Sequence, residues 1–323
     1  MTIPIALVGV GAGAAAALLF ASVTAGVWLS IPLFYLAPLP IMIAGLGWGH
    51  WAALTAAISG ALGLWVVFGT VFLLAFAAGA GVPAWWLSYL AMLARPVGVG
   101  HEADLEWYPP GRLVIWAAML AALVVLIAIP NFGTDAESFR AGLHSALNAV
   151  LRVEHGAPAG SPIDLRADRT ERIIDFLVSA VPLAAAVLAT ITNLLNLWLA
   201  ARIVKFSGRL SRPWPQLASL SFPRMLTGAL GFTIALSFAG GMLGIVAAVL
   251  SASLLIAYAV LGFAVLHTLT QGMNARTLVL SITYASVIVL GWPTLALCLL
   301  GVIDTIVNLR ARISGRHGPP ALS

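Results

Sequence analysis

The first 94 residues contain no aspartate, glutamate, lysine or arginine. A stretch that long without a charge cannot keep a folded surface in water. The rest of the 323-residue chain has the same character, with 61% hydrophobic and 8% charged residues, against roughly 25% charged in soluble domains. A soluble protein with an oversized core is therefore set aside, and lipid is the solvent for most of the chain. Inside lipid every backbone polar group must be satisfied internally. Apolar runs of helical length then imply an all-α fold, a polytopic transmembrane bundle of about 8–10 membrane segments.

The runs fall into one integral membrane domain. Residues 1–129 form an N-terminal helix group, 130–172 a polar insertion, 173–309 a C-terminal helix group and 310–323 a basic tail. The opening MTIPIALVGVGAG has no basic n-region and reads as the start of a first span over 5–26. Residues 31–47 form a second, in which Pro32, Pro38 and Pro40 interrupt regular helix. Such backbone is tolerated in a membrane only where protein or water covers it. Residues 51–69 and 70–94 come next, the latter interrupted near Gly79, Gly81 and Pro83. A polar loop at 95–112 leads into a fifth span at 113–129.

In the insertion, Thr134 and Glu137 have capping-box spacing. Phe139, Leu143, Leu147 and Val150 then recur on one helical face, which predicts a short amphipathic helix lying on the outer membrane surface. Ser161, Pro162 and Asp164 start a long helix running to about residue 204, with a kink at Pro182. Two spans fill 225–270, and two short ones fill 277–309, broken at Gly291-Trp292-Pro293.

Orientation is set by charge. The loop 202–224 carries Arg202, Lys205, Arg209, Arg212 and Arg224 with no acidic residue, so it is retained on the cytoplasmic side. Residues 130–172 then lie outside, with five basic and six acidic residues, a balance of −1. Ten segments place both termini in the cytoplasm; eight is the alternative, with the second segment re-entrant and 277–309 not fully spanning twice. The net charge of +5 is explained by these short loops rather than by nucleic-acid binding.

Candidate functional residues are few. Asp304 lies in the last apolar run with Asn308 one turn later, and a carboxylate at membrane depth faces a partner or a polar cavity. It pairs with Arg310, Arg312 or Arg276, or it contacts a ligand. Asn193 and Asn196 share a face in the sixth segment, as glue between helices or as contacts in a polar pocket. His267 and His50 are isolated and suit interfacial hydrogen bonds; Gly45 with Gly49, and Gly240 with Gly244, have the spacing of close helix packing. The loop HEADLE, 101–106, is not HExxH and reads as a solvated acidic surface. GVGAGA at 9–14 comes after no strand and is no dinucleotide fingerprint. No metal site and no cofactor are expected. Cys298 is the one cysteine, so no intrachain disulfide forms. There is no Walker A sequence, no GxSG serine site and no nucleophile–base spacing, so the chain is not expected to be an enzyme.

The stretches APLPIMIAGLGWGHWAAL (37–54), EWYPPGRLVIWAAML (106–120) and LLGVIDTIVNLRARI (299–313) resemble the YybS-like family of bacterial multi-pass membrane proteins. That family is similar, distantly, to the substrate-capturing membrane subunits of energy-coupling-factor vitamin transporters. The resemblance implies a bacterial inner-membrane protein that binds a small molecule, or helps to move it, without an ATPase of its own. It implies no catalytic residues. Asn193, Asn196, Asp304 and Asn308 are the polar contacts such a pocket would use. The alternative is a non-catalytic envelope scaffold that recruits proteins through 202–224 or 130–172.

Overall fold

The computed structural model describes residues 3–97, 104–154 and 167–314. It is an all-α bundle carrying one small β-hairpin. The helices are α1 (Ile3–Ala21), α2 (Ser30–Tyr35), α3 (Pro38–Trp48), α4 (His50–Phe68), α5 (Thr70–Phe76), α6 (Val82–Ala91) and α7 (Pro110–Ala128). After them come α8 (Ala136–Glu154), α9 (Ala167–Phe206), α10 (Arg224–Ser237), α11 (Gly241–Leu269), α12 (Arg276–Leu290), α13 (Pro293–Val307) and α14 (Leu309–Ser314). Among the described residues, seven helical stretches are long and apolar enough to cross a membrane: Pro4–Ala25, Ser30–Trp48, His50–Phe68, Thr70–Ala91, Pro110–Asn131, Glu171–Phe206 and Gly241–Leu269. The shorter α10, α12 and α13 complete the C-terminal group.

The breaks have local causes. Pro38 and Pro40 start α3 and lack amide protons, so the turn from α2 tightens and Leu39 N–H bonds to Leu36 O at 3.0 Å. Tyr35 O is left over, and the Asn196 amide of α9 donates to it at 2.8 Å. Irregular backbone at membrane depth is thus covered by a neighbouring helix. Gly49, at φ +94°, turns α3 into α4 in a single residue. It is a hinge between helices, whereas Gly45 is the packing residue, with Ser88 of α6 where its side chain would be. A π-helical turn at Ala77–Gly81 joins α5 to α6 at the Gly/Pro interruption.

Contacts fix the relative directions. Gly9 lies against Ala52 and Thr55, and Gly13 against Ala56, Ser59 and Gly60, so α1 and α4 run parallel. Trp48, beside the start of α4, sits under Arg209. Arg212 bonds to Ala91 O and Tyr108 O, and Arg310 to Ala218 O and Leu220 O. The start of α1, the loop 202–224, the hairpin base and Arg310 therefore gather at one end of the bundle, here the basic end.

The insertion sits at the other end, and the structure corrects its description twice. The side chain that caps α8 is Asp135, not Thr134: its Oδ1 accepts from Glu137 N–H at 3.0 Å and from Ser138 N–H at 2.9 Å. The first half of the apolar stripe of α8 is also covered by protein, where a membrane surface was expected. Phe139 and Leu143 are buried against Ile129, Ile174 and Val178, with Met242 and Ile245 alongside. Residues at the ends of α7, α9 and α11 offer a protein groove, and Val150, at the far end of the stripe, stays exposed. The helix start expected at Ser161, Pro162 and Asp164 lies outside the described residues. The described ends of the loop 95–112 form a strand pair that its polar composition does not announce. Ala94–Val97 pairs antiparallel with Asp104–Trp107, and Arg95 and Glu106 face each other across the pair at 2.6 Å.

Candidate functional site

The basic end is built from α9 and the segment after it. Residues 209–216 form neither helix nor strand, with a bend at Arg212 and with Pro213 and Pro215 flanking Trp214. Proline disfavours helix at the residue before it, which keeps Arg212 and Trp214 in a non-helical strap. Below the strap lies a cavity of about 170 Å³. Leu46 of α3, Leu113 of α7, and Leu194 and Trp198 of α9 form its walls, with Arg212 and Trp214 as the roof. The lining is almost entirely apolar, and Arg212 is its one charged residue.

Arg212 donates from Nη1 to Ala91 O at 2.8 Å and from Nη2 to Tyr108 O at 2.7 Å. Burial lowers its pKa from the ordinary arginine value by disfavouring the charged form. Among the described residues no carboxylate pairs with it. Three further cations, two at the end of α9 and one on the strap, lie over indole rings. Arg202 is 5.8 Å from the Trp198 ring and 5.6 Å from that of Trp214. Lys205 is 4.9 Å from Trp214, and Arg209 is 4.5 Å from Trp48. Cations over aromatic faces gain about 0.5–1 kcal/mol each at exposed sites, and they fasten the strap to the bundle.

The four polar residues picked out from the sequence are not brought together. Asn193 donates to Ala117 O of α7 at 3.2 Å, while Asn196 donates to Tyr35 O and to Thr192 O of its own helix. Both are buried, and Asn196 Oδ1 has no partner. Asp304, 4% exposed, is on α13 and pairs with Arg310, with Oδ2 accepting from Nη2 at 2.7 Å and from Nε at 3.0 Å. Asn308 ends α13 in the left-handed conformation at φ +51°, so it turns the chain to bring Arg310 back onto Asp304. None of the four lines the cavity, although Asn193 and Asn196 fix the helix whose Leu194 and Leu197 do. His267 Nε2 is 2.9 Å from Tyr284 OH, an interfacial hydrogen bond of the kind its position suggested.

A second, open cleft of about 410 Å³ lies at the other end, between α8 and α9, lined by Arg140, His144, Asp175 and Ser179 among others. Among the described residues no group of three or more His, Cys, Asp or Glu side chains is placed to hold a metal. Sequence reasoning singled out the basic loop but not its tryptophans. Trp48, Trp198 and Trp214 were the available signal, each lying close to a strap cation.

Apolar helices of spanning length, interhelical amide bonds and a cavity roofed by basic residues define a polytopic all-α membrane protein. A family model described as "Predicted membrane protein (DUF2232)" matches residues 14–305, and the chain belongs to that family. Comparison with curated proteins and with solved structures returns no match.

Proposed function

We propose that the protein binds a small molecule inside its helical bundle, at the cavity under the 209–216 strap, and has no ATPase or other catalytic activity of its own. One observation carries this reading: a cavity of about 170 Å³ with an apolar lining and a single half-buried cation in its wall. Ligand sites combine this kind of apolar lining with a few placed polar groups. Asn193 and Asn196 hold the α9 wall, and Asp304 with Asn308 positions Arg310 against the segment that follows the strap. The YybS-like resemblance, with its distant similarity to vitamin-capturing transporter subunits, supports a binding role. Positive charge at the basic end supports placing that end, with both termini, on the cytoplasmic face of a bacterial inner membrane.

The test is thermal denaturation of the purified full chain against pools of metabolites and lipids, read by tryptophan fluorescence. At least one pool should raise the midpoint and change the emission of Trp198 and Trp214. Unchanged midpoints across every pool would sink the proposal. The competing scaffold role requires protein partners at 202–224 or 130–172. Crosslinkers placed at Arg224 and Arg140 that trap a defined partner in intact cells would favour it.

A further inference from the structure

If the cavity under the strap binds a small molecule, as proposed, the chemistry of its wall narrows the ligand, and that narrowing rests on the binding role. Arg212 is half-buried in an apolar wall, and its two protein acceptors are neutral carbonyls. Its Nε–H has no acceptor among the described residues. A partly desolvated charge without a counter-ion is costly, and an arginine in that position suits a phosphate, whose oxygens match the guanidinium fork. Arg202 and Lys205, near the end of α9, lie over Trp214 of the strap, Arg209 begins the strap, and residues 202–224 contain no acid to neutralise them. The site is therefore positive where the strap meets the helix ends and apolar just beneath.

We infer that the ligand is a lipid with an anionic phosphate head. The phosphate lies at Arg212 and the neighbouring strap cations, and the first part of its chain enters the cavity between α7 and α9. An apolar cavity of about 150 Å³ takes one benzene, so a cavity of about 170 Å³ holds only a short stretch of chain next to the head group. The remainder of the chain lies among bilayer lipids. The bundle thus selects on head-group charge, and on the bulk of the first few carbons.

The experiment uses the full chain in phosphatidylcholine nanodiscs doped with phosphatidylglycerol or with diacylglycerol, and separately with inorganic phosphate in the buffer. Binding is read from tryptophan emission and from the denaturation midpoint. Phosphatidylglycerol should bind about tenfold more tightly than phosphatidylcholine, the size expected of one charge-assisted hydrogen-bonded contact. Arg212→Gln should remove most of that preference, and Arg276→Gln, the same charge loss elsewhere, should keep it. Because Arg212→Gln also loosens the strap, Ala201→Leu is the second variant. It fills the cavity from α9 with all charges in place and should weaken phosphatidylglycerol binding.

Diacylglycerol binding as well as phosphatidylglycerol would overturn the head-group inference while leaving a binding cavity. Inorganic phosphate alone reproducing the response would overturn the lipid in favour of a free anion. Equal losses from Arg212→Gln and Arg276→Gln would overturn it in favour of unspecific attraction to a basic surface. No response to any lipid, phosphate or metabolite would overturn this inference and the proposed function together.

Discussion

Arg310 should be worth more to the fold than Asp304, although the two form one ion pair. Arg310 donates to Asp304 Oδ2 through Nε and Nη2, and to the carbonyls of Ala218 and Leu220 through Nη1 and Nη2. Arg310→Met strands a carboxylate that is 4% exposed and leaves two carbonyls without their donor. Breaking a buried pair in this way costs about 3–5 kcal/mol. Asp304→Asn keeps an acceptor near the guanidinium, and Arg310 keeps both carbonyls, so its cost is about 1.5 kcal/mol. In a chain this long each kcal/mol moves the midpoint by about 2 °C. Arg310→Met should therefore lower it by roughly 6–10 °C and Asp304→Asn by roughly 3 °C. The double variant buries no charge and should fall short of the sum by about 1–3 kcal/mol. The assay is thermal unfolding in one detergent at one scan rate, since such unfolding is often irreversible. A midpoint for Arg310→Met within about 2 °C of the parent, or strictly additive losses, would refute the clasp.

Three other parts of the bundle give further expected outcomes. Gly262→Ala and Gly301→Ala each set a methyl group against a backbone carbonyl, that of Leu297 and of Tyr258 respectively, and should cost about 1–3 kcal/mol by thermal unfolding. Gly63→Ala, with nothing near its added carbon, should instead be neutral or stabilising by about 0.5–1 kcal/mol. Asn193→Leu removes the bond to Ala117 O and should cost about 0.6–1.7 kcal/mol, read in the same assay. The cap of α8 should respond to acid. The hydroxyl of Ser138, and after it the amide of the same residue, holds the Asp135 carboxyl below its usual range, so the stabilisation is complete above the unfolded-state pKa and lost as pH falls through the lower folded value. Amide exchange in α8 should accelerate only below the ordinary aspartate range, and Asp135→Asn should flatten that dependence.

What the sequence made legible was set by the range of the interaction. Helix existence came from apolar runs, and breaks at Pro38, Gly79 and Gly291 came from residues that act on their own backbone. Asp304 and Arg310, six residues apart, do not face each other on an unbroken helix; the sequence offered Arg310 as one of three partners, and the left-handed turn at Asn308 brings the two together. The same arginine's bonds to Ala218 and Leu220 join positions about 90 apart in sequence, and nothing local marks those carbonyls. The α8 stripe of Phe139 and Leu143 shows why periodicity alone is ambiguous. An amphipathic face is the same pattern whether lipid or protein covers it, and the groove formed by Ile129, Ile174 and Met242 exists only after three other helices have packed. The hairpin escaped for a related reason: Ala94–Val97 and Asp104–Trp107 are four residues each, and Pro96 argues against strand.

Arg212 marks the hardest case and the most useful one. In sequence it is one more positive charge in a loop, and charge counting treats it as equal to Arg209 or Arg224. In the fold the strap turns it inward onto Ala91 and Tyr108, while Arg202, Lys205 and Arg209 lie against indoles. A loop whose task was to capture a protein partner would gain by leaving such side chains in water, where they reach furthest. Arg212 is instead turned into the bundle's own end wall, while Arg202, Lys205 and Arg209 stay exposed over their indoles. Retention of the loop on one side of the membrane requires only that the charges exist. Half-burying one of them in the roof of an apolar cavity goes beyond that requirement, and it raises the local cost of folding unless something negative joins it. That mismatch between what topology needs and what the fold does is the strongest reason to look for the occupant under the strap rather than for a partner above it.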